Sequence, residues 1–186
     1  MDFGATFDQG LSYREFLDRY GSDEHRRRWR GVYEQVVLTA AQRDLLRSFQ
    51  REMKVLVTAG AWCGDCVNQC PIFARFEEAS DRIRVRFFDR DDQSELSQEL
   101  AICGAPRVPS VLFLSEDDFP CGRYGDRTLA KYRQLAGSEF GPACPTGIVA
   151  PERALLEAVT QEWLDEFERI QLMLRTSGRL RQKHGD

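Results

Sequence analysis

Cys63-Gly64-Asp65-Cys66, directly after Trp62, sets two thiols three positions apart. They stand between an apolar run, Val55-Leu56-Val57, and an amphipathic stretch that begins at Val67. At a strand-to-helix junction this spacing brings both sulfurs to one exposed point, where the helix N-terminus offers unpaired N–H groups and a positive dipole end. Both favour a thiolate, and the thiolate is the nucleophile. The chemistry this suits is thiol–disulfide exchange. Cys63, on the N-cap side, is the expected exposed attacker; comparable thiols titrate anywhere from ~3.5 to ~7. Cys66, one turn inside, is expected to be buried and to resolve the mixed disulfide by attacking Cys63. The competing reading is a pair of structural cysteines.

The remaining cysteines and the histidines narrow the chemistry further. Cys70 shares a helix face with Cys66. A metal site needs about four ligands, whereas Cys63, Cys66 and Cys70 are the only local candidates and no histidine lies near them. Cys70 is therefore read as a buried apolar residue and no metal is expected; a metal-binding scaffold through Cys63, Cys66 and Cys70 stands as an alternative. Cys103, Cys121 and Cys144 lie in separate loops or strands and are read as structural. A cysteine hydrolase wants a histidine to take the thiol proton. His25 sits in the charged stretch Asp23 to Arg28 and His184 in the tail, so neither suits that role. The run Arg26-Arg27-Arg28 reads as a solvated helix face.

A chain of 186 residues fits one domain with appendages. It can bury ~70% of its unfolded surface, so the six cysteines are not needed as staples. The first twenty residues carry Asp2, Asp8, Arg14, Glu15 and Asp18 without an apolar core, unlike a signal peptide. No run approaches a membrane span. A cytoplasmic protein with reduced thiols is expected, with no membrane contact. The net charge of −4 gives no reason to expect nucleic acid.

The elements that must position the cysteines follow from periodicity. Leu11, Tyr13, Phe16, Leu17 and Tyr20 form a helical stripe, with Ser12 as N-cap, Glu15 three residues on, and Gly21 as the stop. A second helical stretch runs from Asp23 to Gln50, with Gly31 and Thr39 as possible interruptions. Strands are expected at Lys54 to Ala59, Arg82 to Asp89, Ser110 to Ser115 and Phe119 to Tyr124. Helices are expected at Cys63 to Ser80, at Ser94 to Cys103 with Ser94 as cap, and at Arg127 to Ala136. Gly141, Pro142, Pro145 and Gly147 mark a loop, and Pro151 suits the first position of a last helix. That helix carries Leu156, Val159, Trp163, Phe167, Ile170 and Leu174 on one face. The stripe is expected to pack on the domain rather than on another chain, so a monomer is expected. The basic tail from Ser177 should fray. The order strand–helix–strand–helix–strand–strand–helix implies an α/β protein: two parallel βαβ units and a closing hairpin.

Over roughly Met53 to Ala136 the chain resembles the thioredoxin family. Trp62-Cys63-x-x-Cys66 follows the central strand; Pro71 sits eight residues after Cys63, where thioredoxins carry a kink proline; Val108-Pro109 precedes the hairpin, as the family's cis-proline does; and Gly122 and Gly125 fall where a glycine follows the hairpin. The Gly64-Asp65 pair and the helical additions look more like a bacterial thioredoxin-like branch. The resemblance implies a central mixed β-sheet flanked by helices, with a helical extension over 1–52, a core over 53–136, and a loop and amphipathic helix over 137–186. It further implies a disulfide reductase acting through Cys63 and Cys66 without a cofactor. Its partners would be protein disulfides and an electron donor, either a thioredoxin-reductase-type enzyme or a small thiol. The alternative is a non-catalytic module that binds partners through the Trp62/Pro109 surface.

Pro109, if cis, would leave the Val108 backbone free to pair with an extended substrate. Trp62 could form a flat contact surface around Cys63, or pack partly on the helix. Arg107 could stabilise a thiolate or attract acidic partners, or be a solvated loop charge. The sequence also departs from the family: Val57 stands where thioredoxins bury an aspartate, and Asp65 where they carry a proline. Asp65 could raise the thiol pKa values by repulsion or replace the missing proton acceptor.

Overall fold

A computed structural model describes residues 1–140 and 152–186. Its centre is a four-stranded mixed sheet in the order β2-β1-β3-β4, with β1 at Met53–Ala59, β2 at Ile83–Asp89, β3 at Ser110–Ser115 and β4 at Pro120–Gly125. β1 runs parallel to β2 and antiparallel to β3; β3 and β4 form an antiparallel pair. β1 and β3 are covered on both faces, which explains their unbroken apolar runs.

Alternation divides the core in two. Val55, Val57, Val85, Phe87, Val111 and Phe113 point into the larger cluster with Phe16, Trp29, Cys66, Phe73, Trp163 and Phe167. Leu56, Phe88, Leu112 and Leu114 point the other way, onto Phe7, Leu96 and Leu100. The larger side is built by α2 (Tyr13–Tyr20), α3 (Asp23–Gln35), α4 (Ala40–Arg47), α5 (Gly64–Ala79) and α8 (Glu152–Thr176). The smaller is built by α1 (Phe3–Phe7) and α6 (Ser94–Glu99).

Local signals explain most boundaries. Ser12 and Glu15 form a reciprocal capping box at α2, and the Gly21 N–H closes that helix on the Leu17 carbonyl. Thr39 does interrupt the long stretch expected from Asp23 to Gln50: its hydroxyl and Gln42 make the box that starts α4, while Gly31 stays inside α3. The apolar stripe of the last helix packs into the core as expected, with Val159, Trp163, Phe167, Ile170 and Leu174 all buried.

Three expectations are corrected, and one short helix had no expectation at all. The second strand–helix–strand unit is not parallel, because β3 runs against β1 and hence against β2; alternation of apolar residues carries no information on strand direction. Ser94 lies inside α6, whose N-cap is Gln93, and that helix stops at Glu99, not Cys103. The five-residue α1, capped by Asp2, was below the length at which periodicity speaks. The tail does not fray: Ser177 caps α9 (Gly178–His184), Leu180 is buried, and Arg179 pairs with Asp117 in the β3–β4 turn. The expectations on Gly141, Pro142, Cys144, Pro145, Gly147 and Pro151 lie outside the described residues. No helix among the described residues is long and apolar enough to cross a membrane.

Candidate functional site

The site begins where β1 ends. The chain turns at Gly60 to Trp62, with the Cys63 N–H donating to the Gly60 carbonyl at 3.0 Å. Trp29 of α3 fixes this turn from below: its buried indole N–H donates to the Ala61 carbonyl at 2.8 Å. Cys63 is then the N-cap of α5, in extended backbone with no side-chain capping bond, and its carbonyl accepts from Val67 N–H at 3.0 Å. The capping position therefore leaves the Cys63 sulfur to other partners.

Cys63 is half-buried and its thiol donates to the Val108 carbonyl at 3.5 Å. Cys66, one turn along, is fully buried, and its sulfur accepts from the Gly60 N–H at 3.5 Å. Both are free thiols. A hydrogen bond shared with Cys66, burial, and the neighbouring sulfur's charge push the Cys63 thiol upward, against the backbone N–H groups of Cys66 and Asp65. This is the reverse of what the helix terminus alone would give, and its cause is the second sulfur. Burial pushes Cys66 up as well, and the Cys70 sulfur reinforces it, whereas the bonds to Cys63 and to the Gly60 N–H act downward. Two thiols that share one proton site lose their protons in separate steps, the second harder than the first.

The opposite wall is the loop before β3. The Val108–Pro109 peptide bond is cis, as the family likeness implied. Val108 is buried, and its carbonyl is engaged by the Cys63 thiol. Trp62 is exposed, with the Arg90 guanidinium 4.6 Å above its ring. Its inner edge lies over Gly60, where any Cβ would come within 2.8 Å of the indole. Trp62 is thus partly packed over the turn, with its outer face exposed.

Asp65 and Arg107 are not free charges. Asp65 Oδ2 lies 2.7 Å from Arg127 Nη2. Arg107 Nη1 lies 3.2 Å from Asp126 Oδ2, and Arg127 Nη1 lies 3.4 Å from the same oxygen. The Tyr132 hydroxyl donates to the other Asp126 oxygen. The result is a continuous chain of alternating charge, Asp65–Arg127–Asp126–Arg107, from the cysteine turn to the proline loop. Burial alone would raise the Asp126 carboxyl; the bonds from Tyr132 and Arg107 and the Arg127 charge outweigh it and hold it below the usual aspartate value.

Gly125 makes this chain possible. At φ +134° it passes so close to Pro109 that a Cβ would stand 2.5 Å from the Pro109 carbonyl oxygen. The next residue is therefore delivered behind the proline loop. Gln69 of α5, also buried, locks it there: its amide nitrogen donates to the Asp126 carbonyl at 2.9 Å and to the Asp65 carbonyl at 3.3 Å, and its amide oxygen accepts from the Trp163 indole at 2.9 Å. That indole bond is one of the ties between the last long helix and the site.

Sequence reasoning missed Asp126, Arg127, Gln69 and Trp29. A buried Trp usually finds an acceptor for its N–H, so Trp29 and Trp163 in apolar stripes were the available signals; nothing in sequence marked Asp126 or Arg127. Cys70 is buried, as expected. Cys103, read as structural, is instead exposed, in a turn at φ 52°. Cys121 is half-buried with its thiol donating to the Phe119 carbonyl at 3.3 Å. Among the described residues no three His, Cys, Asp or Glu side chains stand where they could hold a metal ion. His25 caps α3 and His184 pairs with Glu116, so neither histidine bonds a cysteine.

These features define a thioredoxin-like α/β fold with two cysteines at the mouth of its central helix. The chain belongs to the thioredoxin family: a family model described as Thioredoxin matches residues 10–133. The match begins in the N-terminal helices, well before the motifs that carry the likeness in sequence. Among solved structures, a protein of unknown function from Pseudomonas aeruginosa is similar at 20% identity and a TM-score of 0.71, over 90% of this chain and 98% of that one. An HIV epitope-scaffold is similar at 20% identity and a TM-score of 0.69, over 91% of this chain and 97% of its own. At such identity the likeness is one of fold. No curated protein matches the chain.

Proposed function

We propose that the protein is a thiol–disulfide oxidoreductase that reduces protein disulfides through Cys63 and Cys66. The observation that carries this is the placing of the two sulfurs: Cys63 half-buried at the helix mouth against the Val108 carbonyl, and Cys66 fully buried one turn inside. The Cys63 thiolate attacks one sulfur of a substrate disulfide. The other substrate sulfur leaves as a thiolate and takes a proton, and a mixed disulfide remains. Cys66, deprotonated, attacks Cys63 Sγ, releases the second substrate thiol, and closes the Cys63–Cys66 disulfide. Two electrons have then passed to the substrate; a dithiol reductase of the thioredoxin-reductase type, or a small thiol, returns them. No cofactor takes part.

On this reading Trp62 and the Val108–Pro109 loop receive the substrate chain, and Asp65 and Arg107 modulate the sulfurs. The Gly64-Asp65 pair, with helical additions over 1–52 and 137–186 around a core at 53–136, supports a place in a bacterial thioredoxin-like branch, acting as a cytoplasmic monomer.

Reduction of insulin by dithiothreitol, followed by turbidity, tests the proposal. Wild type should accelerate it and Cys63→Ser should abolish the acceleration. Cys66→Ser should trap mixed disulfide, visible as an adduct by mass spectrometry. Equal rates for wild type and Cys63→Ser would remove the redox assignment and leave the binding module. Limited alkylation checks the roles: iodoacetamide should label Cys63 before Cys66.

A further inference from the structure

The carboxylate of Asp65 sits inside the cysteine motif, at the second residue of α5. An unpaired negative charge there would oppose every thiolate the exchange requires. It is not unpaired: Arg127, from the segment that follows β4, reaches it at 2.7 Å, and both side chains are largely covered. Arg127 is itself held on two further sides. Its other terminal nitrogen lies 3.4 Å from Asp126, and its guanidinium lies 5.7 Å from the centre of the Tyr132 ring.

We propose that Arg127 is the positioning residue that makes an acidic cysteine motif workable, by clamping the Asp65 carboxylate in an ion pair that holds it where Cys63 can ionise. The inference deepens the thiol-exchange reading and rests on it. It also replaces both earlier expectations for Asp65, since a carboxylate committed to a guanidinium is neither a free repelling charge nor a free proton acceptor.

The charged and titratable groups around this clamp come from every neighbouring element. α5 supplies Asp65 with the Cys66 and Cys70 thiols; Cys63 stands at its cap. The proline loop supplies Arg107, which is spent on Asp126. α7 (Leu129–Phe140) supplies Tyr132, bonded to Asp126, and Lys131, whose ammonium donates to Gln134 at 2.7 Å. α8 supplies Glu162, which accepts from the Leu129 and Ala130 N–H groups. Among these cations Arg127 alone forms an ion pair with Asp65.

The test is the pH dependence of Cys63 alkylation in the reduced protein, measured apart from turnover. Arg127→Gln should raise the apparent Cys63 pKa by about half a unit to one unit. At pH 7 that slows labelling about 3- to 10-fold. Because Arg127 acts through Asp65, the same change made on top of Asp65→Asn should do almost nothing: the single Asp65→Asn protein and the double variant should agree within about 0.2 unit. An unchanged pKa in Arg127→Gln overturns the inference. So does a shift that persists undiminished with Asp65→Asn, since Arg127 would then act on the sulfur directly. If Arg127→Gln does not fold, the double variant, which strands no charge, must fold and match Asp65→Asn; its failure to fold would make Arg127 purely structural. Insulin reduction separates the two proposals. A protein that shows the pKa pattern but reduces no insulin keeps the clamp and loses the exchange reading, and one that reduces insulin with an unmoved pKa does the opposite.

Discussion

Two clusters of ion pairs, at opposite ends of the sheet, use the same residue types to different effect. Beside the cysteines, Asp126 is almost wholly covered, its side chain 4% exposed, and is met by Arg107, Arg127 and Tyr132. At the far end, Asp117 in the β3–β4 turn meets Arg179 and Lys183 of α9, both about half in solvent at 51% exposure. Water competes for the second set and salt screens it, whereas the first is shielded. Removing one partner strands a buried charge in the first cluster and frees a solvated one in the second. The inner cluster therefore fixes where atoms stand, and the outer one only trims a helix that Leu180 already anchors.

The largest expected effect follows from breaking the inner cluster at its centre. Asp126→Ala leaves Arg127 with less of its pairing and the Tyr132 hydroxyl without its acceptor. It should lower stability by about 3 kcal/mol, which for a chain of this size is a fall in Tm of about 6–12 °C. It should also loosen the proline loop, seen as faster amide exchange at the residues around Pro109. A drop of only a degree would mean that the cluster is decoration and that Gly125 alone sets the turn.

Gln69→Leu is the next step down. It keeps the volume roughly constant but leaves the Trp163 indole N–H and the Asp126 carbonyl unpaired inside the core, for which about 1–3 kcal/mol is expected. Trp163→Phe should cost at least as much, because the T-shaped contacts with Phe73 and Tyr124 weaken along with the bond to Gln69. If Gln69→Leu proved neutral, α8 would be held to the site by apolar packing alone.

What the sequence made legible divides along chain distance. The two cysteines and the Ser12–Glu15 box are local patterns, and the structure places them where local rules put them, whereas the cis Val108–Pro109 bond was legible only through the family likeness. Asp65 was visible too, but its meaning was not, because Arg127 joins it from beyond three further strands of the chain. The tail shows the same limit in reverse. Read alone, Arg179 and Lys183 look like solvated, fraying residues; their acidic partner, Asp117, arrives from more than sixty positions earlier. Strand direction was likewise invisible, since the unbroken apolar run that marks β3 reads the same whichever way the chain runs.

pH sharpens the contrast between the clusters. Asp126 and Asp117 both have carboxyl pKa values lowered in the fold, Asp126 by Tyr132 and Arg107 against its burial, and Asp117 chiefly by Arg179. A lowered folded value means stability that is fully present above the unfolded aspartate pKa of about 3.9 and is lost as the pH falls through the folded value. Both proteins, Asp126→Asn and Asp117→Asn, should therefore lose Tm less steeply than wild type below about pH 4. Salt tells them apart. At neutral pH, raising ionic strength towards 1 M should shrink the difference between wild type and Asp117→Asn, and leave the difference for Asp126→Asn nearly intact.

The smallest expected effect is Arg179→Ala. Its guanidinium is solvated and its role is shared with Lys183, so Tm should move by about a degree or less, and α9 should stay in place. Leu180→Ala, one residue along the same helix, removes a fully buried side chain from the larger core and should release the tail to exchange and to proteolysis. The pair isolates what holds the terminus. If Arg179→Ala released α9 and Leu180→Ala did not, the outer cluster would be the anchor after all, and the contrast between the two ends of the sheet would fail where it is easiest to measure.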